Sequence, residues 1–205
     1  MNRFLTASVT LLLAVSVNAA GQVKDAVKDI RAKYNEAKEI IARSRDKEAP
    51  LEMKNEMTLN LYRNLPGSGP QKETVEGFFF LDYTEDNEYV SSLYLVRSSY
   101  NFAARKYYEE YLYDFETGEL LFCLKDHDTY FAGEDFHCQQ RFYFSDGEIC
   151  SYALTLKDKA GKQVSESSVP ELFEIYGNED EQSADIVEQS SRYKEAFAAI
   201  SKLNL

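Results

Sequence analysis

Tryptophan is missing from this chain of 205 residues, histidine occurs twice, cysteine three times and proline four times. Each shortage closes something off. Without Trp, the usual stacking platform of a sugar-binding cleft is gone. No Gly-x-Ser-x-Gly elbow, Walker phosphate loop, His-Glu-x-x-His helix or dinucleotide fingerprint occurs. Gly67-Ser68-Gly69 lies between Pro66 and Pro70 and reads as a rigid turn rather than a phosphate cradle. Basic charge is short too: 23 Lys and Arg face 35 Asp and Glu, a formal net charge of -12. That excludes nucleic acid, whose phosphates need a basic patch, and disfavours an anionic membrane surface. After residue 17 no apolar run approaches the roughly 20 residues of a spanning helix.

What is present begins at the start. Met1-Asn2-Arg3, an apolar run from Phe4 to Val17 and the small Asn18-Ala19-Ala20 have the form of a secretory signal peptide. Residues 1–20 are therefore expected to be removed, leaving 21–205 as a single α+β domain in the periplasm or outside the cell. Its length suffices to bury a core without disulfides or metals.

Residues 22–45 carry Val23, Val27, Ile30, Tyr34, Ala37 and Ile41 at alternating steps of four and three, an amphipathic helix with Lys33 on its polar side. A polar linker over 46–51 follows. The period then becomes two, and strands are predicted near 57–62, 74–83, 89–97, 107–115, 120–125, 139–145 and 148–156. The breakers at 64–70, a turn at 85–87, Gly118 and Asp146-Gly147 separate them. Residues 98–104 read as an irregular connection, and 172–176 as a last strand or docking turn. A closing helix is expected to turn Ile186, Tyr193, Phe197 and Ile200 inward. The fold class is α+β: an antiparallel meander of about seven strands flanked by an N-terminal and a C-terminal helix, with one or two helices on one face. Phe78-Phe79-Phe80-Leu81 is apolar on both faces, so the second face needs a helix, a second subunit in a homodimer, or a ligand.

The runs Lys38-Glu39-Ile40-Ile41-Ala42, Asn64-Leu65-Pro66-Gly67-Ser68-Gly69-Pro70-Gln71 and Ala103-Ala104-Arg105-Lys106-Tyr107-Tyr108-Glu109-Glu110 resemble uncharacterised exported proteins of Gram-negative bacteria. The likeness covers most of the mature chain. The group has no assigned activity, so the resemblance implies export and no functional residue.

Three candidate sites remain. Tyr107, Tyr111 and Tyr113 share one parity of a strand: either cross-strand aromatic pairing or an amphipathic recognition face. His127, Asp128 and His137 lie on an acidic stretch between two strands, and His and carboxylate are zinc ligand types. A disulfide between Cys123 and Cys138, with Cys150 reduced, is expected if the two strands flank that stretch as neighbours. No catalytic residue and no cofactor is indicated. The strands that are apolar on both faces point to a non-enzymatic binding protein whose partner is a protein or small molecule. A metal-dependent hydrolase built on the His127–His137 stretch is the alternative.

Overall fold

The computed structural model describes residues 5–46, 48, 55–67, 69–83 and 89–201. The expected turn at 85–87, most of the 46–51 linker and the side chains of the leader segment lie outside the described residues. Helix α1 (Leu5–Ser44) is followed by β1 (Glu56–Leu65), β2 (Gly69–Tyr83), β3 (Tyr89–Phe102), β4 (Arg105–Tyr113), β5 (Leu120–Phe131), β6 (Glu134–Ser145) and β7 (Glu148–Asp158). A short helix α2 (Pro170–Tyr176) and a long α3 (Glu179–Ser201) complete the chain. Among the described residues no helix is long and apolar enough to cross a membrane.

The seven strands form one antiparallel sheet in the order of the chain. The helices cover opposite faces, not one. Ile30, Ala37 and Ile41 of α1 pack on Phe78, Leu95, Leu112, Phe122 and Tyr143. Ile186, Tyr193 and Phe197 of α3 pack on Val75, Phe79, Val96, Tyr111 and Phe142. The two-sided apolar strands are thus satisfied by the chain's own helices, and the physical argument for a second subunit on a bare face falls away.

Three β-bulges shape the sheet. The pairings Phe78↔Leu95 and Phe79↔Leu93 leave Tyr94 extra; likewise Leu121 is extra in β5 and Cys150 in β7. The paired row Phe78, Leu95, Leu112, Phe122, Tyr143 runs across five strands beside them. Tyr94, Leu121 and Cys150 all fall in the α1-side cluster. Bulges in alternate strands on one row bend the sheet around that helix.

Several expectations are corrected. Residues 98–104 are not irregular: β3 runs to Phe102, paired with Arg105 across Ala103-Ala104, with Ala103 at φ 52. The acidic stretch 126–138 is not a loop but a β5–β6 hairpin, closed by Ala132 and Gly133 at φ 51 and 91. Positive φ at both central residues is the tight-hairpin requirement that Asp146-Gly147 meets at φ 54 and 80. Ala in the first position hides the turn from a reader of sequence. Residues 170–176 form a helix, started by Pro170 in its first turn.

Candidate functional site

On the α3 side the strands outrun the apolar core. Two transverse rows there are polar: Ser98, Glu109, Lys125 and Gln140, then Glu73, Tyr100, Tyr107 and His127. Polar side chains under a helix prevent close packing. A groove of about 530 Å³ opens between this floor and α3, lined by Glu73, Tyr100, Glu109, Tyr111, Asp185 and Tyr193 among others. A second hollow of about 250 Å³ shares Tyr100, Glu109 and Lys125 with it and reaches Tyr107, His127, Gln140 and Tyr176.

Glu109 lies where the two hollows meet. It is 9% exposed. Tyr100 donates its hydroxyl to Oε1 at 3.0 Å and Tyr111 donates to Oε2 at 2.6 Å. Its register partner Lys125 directs its ammonium over the Phe142 ring, 5.9 Å from the centroid. No described cation lies within ion-pair distance of Glu109, whereas its chain neighbour Glu110, on the opposite face, binds Arg97 at 2.8 Å. Glu73 accepts from Ser98 at 3.2 Å and Tyr193 at 3.3 Å, with Arg63 at 3.6 Å. Gln140 is 1% exposed and donates to Tyr152, the Tyr176 carbonyl and Gln182.

Burial, reinforced by Glu109, pushes the Tyr100 hydroxyl well above its ordinary pKa; burial does the same to Tyr111 and Tyr193. These phenols stay protonated and act as fixed donors. Burial also pushes the Cys123 thiol up, and that of Cys138 to about 12, so neither supplies a thiolate nucleophile at neutral pH. The groove therefore offers carboxylate acceptors, phenolic donors and ring surfaces, with Arg63, Lys125 and Arg192 also on its lining.

The candidate tyrosines separate. Tyr107 lies in the hollow, its ring stacked between Tyr100 at 5.0 Å and His127 at 5.2 Å. Tyr111 borders the groove but is 1% exposed. Tyr113 is core, its hydroxyl given to the Ser190 carbonyl at 3.0 Å. A continuous tyrosine recognition face is thus corrected to one ring, Tyr107, with Tyr100 and Glu109 beside it.

The metal reading is also corrected. His127 pairs with Cys138 and Asp128 with His137, so the two histidines project from opposite faces of the sheet and cannot share an ion. His127 packs against Tyr107 and Tyr176. On the other face, His137 bridges Asp128 at 3.0 Å and Asp126 at 3.3 Å. Among the described residues no group of three His, Cys, Asp or Glu is placed to hold a metal ion; the ring nitrogens of His137 are taken up by the two carboxylates. The hydrolase built on His127 and His137 is withdrawn with it.

The Cys123–Cys138 disulfide fails on register. Cys123 pairs with Phe142 and Cys138 with His127, four positions apart, about 13 Å along the strand. That exceeds disulfide reach, and all three cysteines are free. The Cys150 bulge also shifts β7 by one, so that Cys138 faces Leu156.

Tyr100, Glu73 and Gln140 escaped the sequence reading, and Glu109 drew notice there only as the neighbour of Glu110, from which the strand alternation separates it. Their only signal was a polar residue at an inward position of a strand. No family profile, no curated protein and no solved structure matches this chain.

Proposed function

We propose that this is an exported, non-catalytic binding protein, acting in the periplasm or outside the cell, whose ligand is a small organic cation held in the groove beneath α3. The observation that carries the reading is Glu109: a carboxylate 9% exposed, at the junction of two hollows, held by two phenols and by no cation among the described residues. A buried charge without a counter-charge is costly, and an incoming cation relieves that cost. The Tyr100 and Tyr107 rings favour a cation with apolar surface. Export rests on the leader-like residues 1–20.

The test is an NMR titration of the exported protein with arginine, choline and spermidine as probes. Saturable shifts at Tyr100, Tyr107 and Lys125, weakened tenfold or more by Glu109→Gln, support the reading. Absence of saturable shifts with all three probes, or equal affinity in Glu109→Gln, overturns it.

A further inference from the structure

A separate cleft of about 280 Å³ opens on the other face of the sheet, between α1 and β5–β7. Its character follows from one row of the register: Glu76, Arg97, Glu110, Leu124, Arg141, Ala153. Charges along the first half of this row are matched. Arg45, just past the end of α1, meets Glu76 at 3.0 Å and Arg97 meets Glu110 at 2.8 Å. Leu124, buried, then interrupts the row. Arg141 beyond it has no carboxylate within 4.0 Å among the described residues; its side-chain bond goes to the neutral Gln139.

Arg31 of α1 enters the same cleft from above. Its Nε donates to the Tyr143 hydroxyl at 3.1 Å, and its guanidinium carbon stands 5.4 Å from the Tyr143 ring centroid. It too has no described carboxylate partner. The chain carries 12 more acidic than basic side chains. Two guanidinium groups left without carboxylates in one cleft of such a protein call for an anion from outside. The guanidinium fork suits carboxylate or phosphate oxygens.

Asn35 apart, the rest of the lining is aliphatic or aromatic. Ile30, Tyr34 and Phe122 form one wall, with the Tyr34 and Phe122 rings 4.9 Å apart. The register partner of Arg141 is Ala153, whose single methyl leaves the floor open. The volume lies just below the roughly 300–1,000 Å³ of ligand pockets, which limits the occupant to a small molecule.

We propose that this cleft binds a small organic anion, its carboxylate or phosphate head between Arg31 and Arg141 and its apolar body against Ile30, Tyr34 and Phe122. The site is independent of the groove beneath α3, and its fate does not depend on that reading.

Benzoate, octanoate and phenyl phosphate serve as probes in NMR titrations of the protein, with inorganic phosphate as the headgroup alone. At least one organic anion binds saturably. Arg31→Gln and Arg141→Gln each weaken that binding tenfold or more, with unchanged thermal midpoints because neither guanidinium is matched to a buried carboxylate. Arg141→Lys keeps the charge, loses the fork and gives a smaller loss. Ala153→Leu fills the floor and blocks the probe. No saturable binding of any organic probe overturns the proposal, as does binding that survives both glutamine substitutions. Inorganic phosphate binding as tightly as phenyl phosphate overturns the apolar subsite.

Discussion

At the scale of single residues, the two adjacent carboxylates of β4 show how one strand serves both layers. Glu110 is 2% exposed and takes the Arg97 guanidinium together with the hydroxyls of Tyr34 and Tyr108. Removing the cation strands a buried charge. Arg97→Met is expected to cost about 3–5 kcal/mol in denaturant unfolding, and the double change with Glu110→Leu to recover part of it. His127 gives a pH signature. Burial lowers its pKa against the opposing pull of Asp126. The unfolded imidazole titrates near about 6.5. Below that point the unfolded chain takes up a proton that the folded chain refuses, so this contribution is full above about pH 6.5 and declines as pH falls towards the folded value. Denaturation midpoints compared at about pH 7.5 and about pH 5.5 should fall less in His127→Phe than in the parent.

At the scale of elements, α1 was legible because its stripe is regular. Ile30, Ala37 and Ile41 are buried where the spacing places them. Ile30→Asp is expected to lose roughly 3 kcal/mol or more, whereas Lys28→Ala, on the exposed side, changes little in the same unfolding assay. Lys33 is no neutral control: it bonds Asp114 at 2.6 Å and holds that carboxyl below its ordinary pKa. The strands were legible as strands, but their register was not. Nothing in Tyr94, Leu121 or Cys150 announces a bulge, and each bulge displaces every later pairing by one. The hairpin at Ala132-Gly133 was hidden for a related reason, since Ala rarely takes positive φ. Ala132→Asn should therefore stabilise, by up to about 1 kcal/mol, read as a raised midpoint. Packing between α3 and β2 is tighter still: a methyl on Gly77 would stand 2.7 Å from the Phe197 ring. Gly77→Ala is expected to cost about 1–3 kcal/mol, and Phe197→Leu in the same chain to relieve part of that loss, as a double-mutant cycle would show.

At the scale of the whole molecule, the sheet is a partition. α1 and α3 close its two faces, and each leaves a hollow against the sheet. Sequence could reach the layers, since Phe78 and Phe79 demand cover on both sides, but not the hollows. Those depend on which polar residues of distant strands share a row, and three bulges decide that. One temporal consequence follows from the order of the layers. The stripe of α1 leaves the ribosome right after the apolar run at 4–17, yet its platform includes Leu112, Phe122 and Tyr143. Phe122 follows Ile41 by about 80 residues. At ordinary elongation rates that is about 4–16 s. For that interval Ile30, Ala37 and Ile41 lack a complete native surface to rest on, and the exposed stripe is open to any holdase that recognises an amphipathic helix.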